Sequence, residues 1–175
     1  MARFTEPPTV VDPVSKIRHL VKNGTTPITK GMPVYITGAN GTNMIIGIAS
    51  NASEGTSSKT IGIAEADLAA NQFGYVVTEG LITNINTNGA NAGDPIWLGV
   101  NGAKIYGLAN KPKAPAHLVY LGVVTRANAN TGEMFVHIQN GFEIEELHNV
   151  KIDNPQDGQV LKYQASTGLW INTTL

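Results

Sequence analysis

The sequence of 175 residues contains no cysteine and few charged side chains. Without cysteine, the fold is neither stapled by disulfides nor built around a thiolate-bound metal. Charged residues make up only 14% of the chain and the net charge is −1, so the clustered cations that nucleic-acid binding requires are missing. No apolar run is long enough to span a membrane, and residues 1–14 lack the apolar core of a signal peptide. We therefore expect a protein made in the cytoplasm that neither binds nucleic acid nor inserts into a membrane.

What the sequence does contain is a repeat in its middle, with an offset of about 60 residues. Three pairs of segments match in the same order: 31–41 with 93–102, 60–64 with 120–124, and 74–80 with 133–141. Three ordered matches at one offset predict a duplicated β module, with repeats at about 31–80 and 93–141.

Each repeat opens with a strand and a turn. The segments 34–36 and 96–98 are β-branched and aromatic, and each follows a proline, which is tolerated at the first residue of a strand. Asparagine–glycine pairs at 40–41 and 101–102 predict hairpins with type I′ turns, in which both central residues need positive φ.

The later parts of each repeat also favour strands. Gly62 and Gly122 interrupt apolar runs, which predicts a bulge or a close backbone approach. We expect Tyr35 and Trp97, at matching positions, to lie in the core. The segments with weak helical character are 65–70 and 142–147. The expected fold is therefore all-β, as two tandem repeats of a small barrel or sandwich module.

The N-terminal residues 1–15 predict an extended arm. A disordered tail is one interpretation, and docking on a neighbouring subunit by strand addition is the other. The candidate anchoring residues are Pro7, Pro8, Val10, Val11 and Pro13. Residues 16–24 then alternate between polar and apolar side chains and end in an asparagine–glycine pair, which is typical of a half-buried strand followed by a turn.

The C-terminal residues 151–175 predict a hairpin that follows the duplicated domain, 16–150. Its strands would be 159–163 and 168–172, joined by a loop at 164–167. An isolated hairpin is marginally stable in water, so its apolar side chains must pack on something. A neighbouring chain around a threefold axis is one solution, and the protein's own domain is the other. The candidate interface residues are Val160, Tyr163, Leu169 and Trp170.

Catalytic and metal-binding patterns are absent from the sequence. The histidines at 19, 117, 137 and 148 are not spaced as zinc ligands. The serines at 53, 57 and 58 show no nucleophile-elbow pattern. We predict no catalytic residue, no metal ligand and no cofactor, and hence a protein that is not an enzyme.

Several runs resemble a β domain common in structural proteins of tailed bacteriophages, especially aquatic ones. They span roughly 18–172 and lie at 31–41, 49–63, 74–80, 93–99, 106–112 and 119–126. The segment from 157 through 172 is similar to the short hairpin repeat of trimeric phage tail fibres. Fibre proteins of this kind usually continue into a shaft or a tip, whereas this sequence stops at Leu175.

The resemblance implies a virion structural protein made in a bacterial host. The leading hypothesis is a homotrimeric short tail fibre, or a baseplate-attached fibre component, that contributes to host adsorption. The alternative is a capsid decoration (cement) protein that stabilises the head, and a third reading is a glycan-binding module or glycan hydrolase. The implied partners are further copies of the chain, tail, baseplate or major capsid proteins, and a host surface glycan.

Overall fold

The computed structural model describes residues 16–175, which divide between Asn140 and Gly141 into two compact units. Both units are built on β-sheets, one of nine strands and one of three, so the predicted all-β class is confirmed. No helix in the described part of the chain is long and apolar enough to cross a membrane. The predicted arm at 1–15 lies outside the described residues.

The first unit contains nine strands and short helical segments. The strands are β1 (Lys16–Asn23), β2 (Pro33–Asn40), β3 (Asn43–Ile48), β4 (Thr60–Ala64), β5 (Phe73–Ile85), β6 (Pro95–Leu98), β7 (Lys104–Tyr106), β8 (Val119–Arg126) and β9 (Gly132–Asn140). The helical segments are α1 (Glu54–Ser57) and the 3-10 turns Val100–Gly102 and Leu108–Asn110.

The first five strands close into a ring. Their order is β1-β3-β2-β4-β5, and β5 pairs back with β1. The β1–β3 contact is parallel, and the other contacts are antiparallel. The ring closes without a free edge, which removes unpaired backbone groups from that part of the sheet.

Strand β5 links this ring to the rest of the unit. Its first half belongs to the ring, and its second half pairs with β9, which is followed by β8, β6 and β7. Val76 and Val77 are both fully buried, but they pack in two different core clusters. Because successive side chains point to opposite faces of a strand, β5 supplies both cores.

The two halves of the unit use the same order of antiparallel pairings. Val34 lies opposite Gly62 in the first half, and Ile96 lies opposite Gly122 in the second. In each case the register shifts at the next residue. The first half closes as a ring, whereas the second ends openly at β7. These pairings agree with a tandem duplication, which stays a prediction.

The two glycines predicted at bulges lie where the backbone comes close. A Cβ at Gly122, whose φ is +139°, would lie 1.9 Å from the carbonyl oxygen of Phe135. A Cβ at Gly62 would lie 2.2 Å from the carbonyl oxygen of Val77. These distances confirm the predicted close backbone approach, which only glycine permits.

The two predicted type I′ turns have different outcomes. Asn101 and Gly102 both have positive φ, 51° and 78°, as the prediction requires. The prediction at 40–41 is wrong, because Asn40 pairs with Asn43 as the last rung of the ladder. The loop therefore begins one residue later, and within it only Gly41 has positive φ, 62°.

The asparagine–glycine pair at 23–24 does not form the predicted turn with positive φ, since neither residue has one. The segment 65–70, which has weak helical character in the sequence, is not helical. Asn23 is buried at the end of β1, and its side-chain amide donates to backbone carbonyls that include those of Leu68 and Ala69, at 3.1 and 2.9 Å. Leu68 in turn exchanges backbone hydrogen bonds with Ile28 at 2.8 and 2.9 Å. Backbone groups that the sequence assigned to a helix are thus satisfied by pairing with a distant loop.

The second unit is a three-stranded sheet in the order β10-β12-β11, with β10 at Val150–Lys151, β11 at Val160–Gln164 and β12 at Leu169–Thr173. The predicted hairpin is confirmed, since β11 and β12 pair antiparallel. The unit begins at Gly141 rather than at the predicted 151, and β10 adds a parallel strand to the hairpin. The predicted helix at 142–147 is reduced to a 3-10 turn, Ile144–Glu146.

Candidate functional site

Titratable side chains do not gather into a reactive cluster in the described part of the chain. Among residues 16–175, no group of three or more His, Asp or Glu could hold a metal ion. His19, His137 and His148 are exposed. His117 is half-buried and faces a carboxylate oxygen of Glu54 at 3.0 Å. The candidate sites are therefore surfaces rather than a cluster of reactive groups.

The second unit carries the most distinctive of these surfaces, an aromatic pair on its hairpin. Tyr163 and Trp170 lie directly opposite each other in the β11–β12 ladder. Their ring centroids are 5.6 Å apart and the planes are tilted by 56°, a favourable geometry for two aromatic rings. The loop that sets this register closes with a hydrogen bond from Gly168 N to Gln164 O at 2.9 Å, and Gly168 has a φ of +71°.

The four candidate interface residues do not share one face of the hairpin. Because Tyr163 pairs with Trp170 and side chains alternate along each strand, Leu161 lies on their face. Val160 and Leu169 lie on the opposite face. We call the face with Leu161, Tyr163 and Trp170 the aromatic face. Leu161 is one of the apolar side chains that the hairpin was expected to bury, but it was not among the candidate interface residues, although its spacing of two from Tyr163 places it on the same face. An interface role for these residues stays a prediction.

The aromatic face is open to solvent in the single chain. Tyr163 is 51% exposed, Trp170 43% and Leu161 37%. No residue of 141–175 is fully buried, so this small sheet has no core of its own. A sheet of this size needs a covered hydrophobic face to be stable.

Polar contacts of Asn172, which lies opposite Leu161 in the ladder, shape the rest of the unit. The Asn172 side-chain amide donates to the carbonyl of Asp153 at 2.9 Å and to the side-chain oxygen of Gln159 at 2.7 Å. In return, the Asp153 N–H donates to Asn172 Oδ1 at 2.8 Å. These bonds hold the loop before β11 against β12, a role that sequence reasoning also missed.

The first unit carries a second exposed apolar surface, on the outer wall of the ring. Leu20 lies directly opposite Tyr75, and the two are 47% and 41% exposed. The Arg18 guanidinium lies 4.4 Å from the centre of the Tyr75 ring, within cation–π range. The cation thus covers part of the ring and leaves Leu20 beside it uncovered.

Arg18 also belongs to a small ion cluster. Glu65 accepts hydrogen bonds from Lys16 and, at 3.3 Å, from Arg18. Burial by itself raises the pKa of the Glu65 carboxyl, but the hydrogen bonds and charges of the two cations outweigh it, so the pKa lies below its usual value. This cluster fixes the start of β1 on the loop after β4.

The candidate anchoring residues lie outside the described residues, which begin at Lys16. They are Pro7, Pro8, Val10, Val11 and Pro13. The described part of the chain begins with β1, in which Lys16 pairs with Gly80 of β5.

Comparison with known proteins adds a structural likeness. No protein-family model matches the chain, and no curated protein matches it. A solved structure, the crystal structure of the head fiber gp8.5 N base in bacteriophage phi29, aligns with a TM-score of 0.46 and 9% sequence identity. The alignment covers 73% of this chain and 98% of that one. A likeness of this extent does not establish a shared fold.

Proposed function

We propose that this protein is a structural component of a tailed-phage virion, a short tail fibre or baseplate-attached fibre that assembles as a homotrimer through its second unit. The observation that carries the proposal is the aromatic face, an apolar surface on a sheet without buried side chains. The resemblance of the hairpin sequence to the repeats of trimeric phage fibres supports the same conclusion.

The distribution of charge supports the aromatic face, rather than the opposite face, as the proposed interface, or seam, between subunits. Lys151 and Lys162 both lie opposite Ile171 in the ladders of β12, so they share its face. That is the face away from Tyr163 and Trp170. Interface cores are enriched in aromatic residues and depleted in lysine, so the lysine-bearing face is the one that stays in solvent.

Three copies of one surface can bury each other around a closed axis. A cyclic arrangement gives every subunit the same environment and leaves no hairpin exposed. Copies of the chain would be the first partners, and tail or baseplate proteins would hold the trimer on the particle. In this proposal the first unit contributes to adsorption to the host.

The proposal is tested by locating the protein on the particle. Immunogold labelling with antibody against this chain should mark the tail, and quantitative gel analysis should give a small multiple of three copies. Label confined to the head, or copies in the hundreds, would contradict the fibre role and favour the capsid decoration protein. Release of sugar from host polysaccharide by the purified protein would instead favour a glycan hydrolase.

A further inference from the structure

A depression in the wall of the first unit is formed where β2 and β3 meet the loop after β1. Its volume is about 620 Å³, within the range of roughly 300–1,000 Å³ common for small-molecule sites. The side chains that matter for its chemistry are those of Thr25, Thr26, Tyr35, Thr37 and Asn101.

The lining of the depression is neutral. None of its described lining residues is Asp, Glu, Lys, Arg or His. A phosphate or carboxylate ligand would meet no cation there, and a metal ion would meet no carboxylate or imidazole. The depression therefore suits an uncharged ligand that offers both hydrogen-bonding groups and apolar patches.

Several polar groups at this depression are unused. Within residues 16–175, the side chains of Thr25, Thr26 and Asn101 and the hydroxyl of Tyr35 make no hydrogen bond. Thr25, Thr26 and Asn101 are also exposed. Four donor–acceptor groups thus converge on one concave surface without a protein partner.

Tyr35 supplies an apolar surface at the same place. It is half-buried and lies opposite Gly47 in the β2–β3 ladder. A Cβ at Gly47 would be 3.1 Å from Cε1 of the Tyr35 ring, so the absence of a side chain at 47 lets the ring lie along the neighbouring strand. The ring is thereby held in the wall of the depression.

Trp97, which has the corresponding pairing position in the second half of the unit, shows the contrast. It lies opposite Tyr120 of β8, as Tyr35 lies opposite Thr60 of β4. Trp97 is buried, and its indole N–H donates to Gly107 O at 3.1 Å. The Trp97 indole N–H is thus paired within the protein, whereas the Tyr35 hydroxyl has no hydrogen-bond partner among the described residues.

From this geometry we infer that the depression is a binding subsite for a neutral sugar of an oligosaccharide. The C–H groups of a sugar ring pack on an aromatic side chain, and its hydroxyls pair with threonine hydroxyls, the Tyr35 hydroxyl and the Asn101 amide. The inference rests on the first unit alone and is independent of the trimer and of the position on the virion.

The subsite is tested with the 175-residue chain by ¹H–¹⁵N NMR titration with maltotriose, cellotriose and N,N′,N″-triacetylchitotriose, up to about 50 mM, well above a millimolar Kd. At least one sugar should shift the backbone amides of Gly24, Gly47 and Asn101. No shift with any of the three sugars, or shifts that map elsewhere on the chain, would overturn the inference.

Variants make the test specific. Asn101→Gly removes the amide at a φ of +51°, a conformation that glycine adopts freely, so the fold is kept and binding should weaken roughly three- to tenfold for a lost hydrogen bond. Tyr35→Leu should weaken binding about tenfold or more. The matched control Asn154→Gly, at a φ of +42° in the second unit, should leave binding unchanged.

Each result decides the question. Equal weakening by Asn154→Gly and Asn101→Gly would contradict a subsite at the depression, as would unchanged binding in Asn101→Gly. If Tyr35→Leu fails to fold, Asn101→Gly decides alone. Sugar binding at the depression together with label confined to the head would overturn only the fibre role.

Discussion

Replacing Trp170 by alanine should dissociate the proposed trimer. A Trp side chain presents up to roughly 250 Å², so the 43% that is still exposed in the single chain corresponds to about 110 Å². At about 25 cal/mol per Å², burying this area contributes about 2.7 kcal/mol per subunit. A threefold complex loses that amount three times, about 8 kcal/mol, which lowers the association constant roughly 10⁵- to 10⁶-fold.

Sedimentation equilibrium at micromolar concentration measures this effect. Three chains of 18.5 kDa give 55.5 kDa for the unaltered protein, and the Trp170→Ala variant should sediment as a monomer of about one third of that mass. Leu169→Ala is the matched control, because the neighbouring residue lies on the opposite face of β12. It should remain trimeric.

Three results would refute the reasoning about the seam. If the unaltered protein sediments as a monomer, the proposed trimer does not form. A Trp170→Ala variant of unchanged mass shows that the aromatic face is not the seam. Dissociation by Leu169→Ala instead would place the seam on the opposite face. Urea unfolding of each variant checks that the first unit is intact.

Three further predictions concern the first unit. Gly122→Ala brings a Cβ within 1.9 Å of the Phe135 carbonyl oxygen and should lower the free energy of unfolding by about 3 kcal/mol or more. The control Gly38→Ala, with open space around the added Cβ, should change the free energy of unfolding by less than about 1 kcal/mol, and equal urea midpoints for the two variants would contradict the clash. Two cations lower the pKa of Glu65 in the folded protein, so the ionised carboxylate stabilises the fold relative to the Glu65→Gln variant. This difference in unfolding free energy should be complete above the unfolded pKa of about 4.5 and should be lost as the pH falls through the lower folded pKa. A difference in urea unfolding that does not change with pH would refute the prediction. Asn23→Ala removes the amide that donates to the buried Leu68 carbonyl and to the part-buried Ala69 carbonyl, and it should lower the free energy of unfolding by about 2 kcal/mol. Calorimetry would detect this loss, and a change below about 0.5 kcal/mol would contradict the prediction.

The features that the sequence predicted correctly depend on neighbours along the chain. The strand runs, the glycines at 62 and 122, and the hairpin around Tyr163 and Trp170 follow from alternation of side chains and from turn residues. Successive side chains of a strand point to opposite faces, so the alternation of polar and apolar residues can be read from a few adjacent positions.

The wrong predictions failed because strand and bridge pairing, which the sequence does not show directly, determined the backbone. The pairs at 40–41 and 101–102 are the same dipeptide, yet only the second places both residues at positive φ, because the strand pairing of Asn40 continues one residue further. Likewise, Leu68 lies in a segment with helical character but exchanges hydrogen bonds with Ile28. For Asn40 the partner is Asn43 of the same hairpin, so the ladder itself set where the turn begins. For Leu68 a partner distant along the chain supplied the hydrogen bonds and overrode the local helical preference.

The sequence by itself determined that this is an all-β protein rich in turns, with an aromatic hairpin near its C-terminus. Only the tertiary structure decided that five strands close into a ring, that Val76 and Val77 enter two different cores, and that Thr26, Tyr35 and Asn101 meet at one depression. The physical reason is the range of the forces involved. Alternation and turn preference are set by adjacent residues, whereas ring closure and convergence of side chains depend on pairing between strands that lie far apart in the chain.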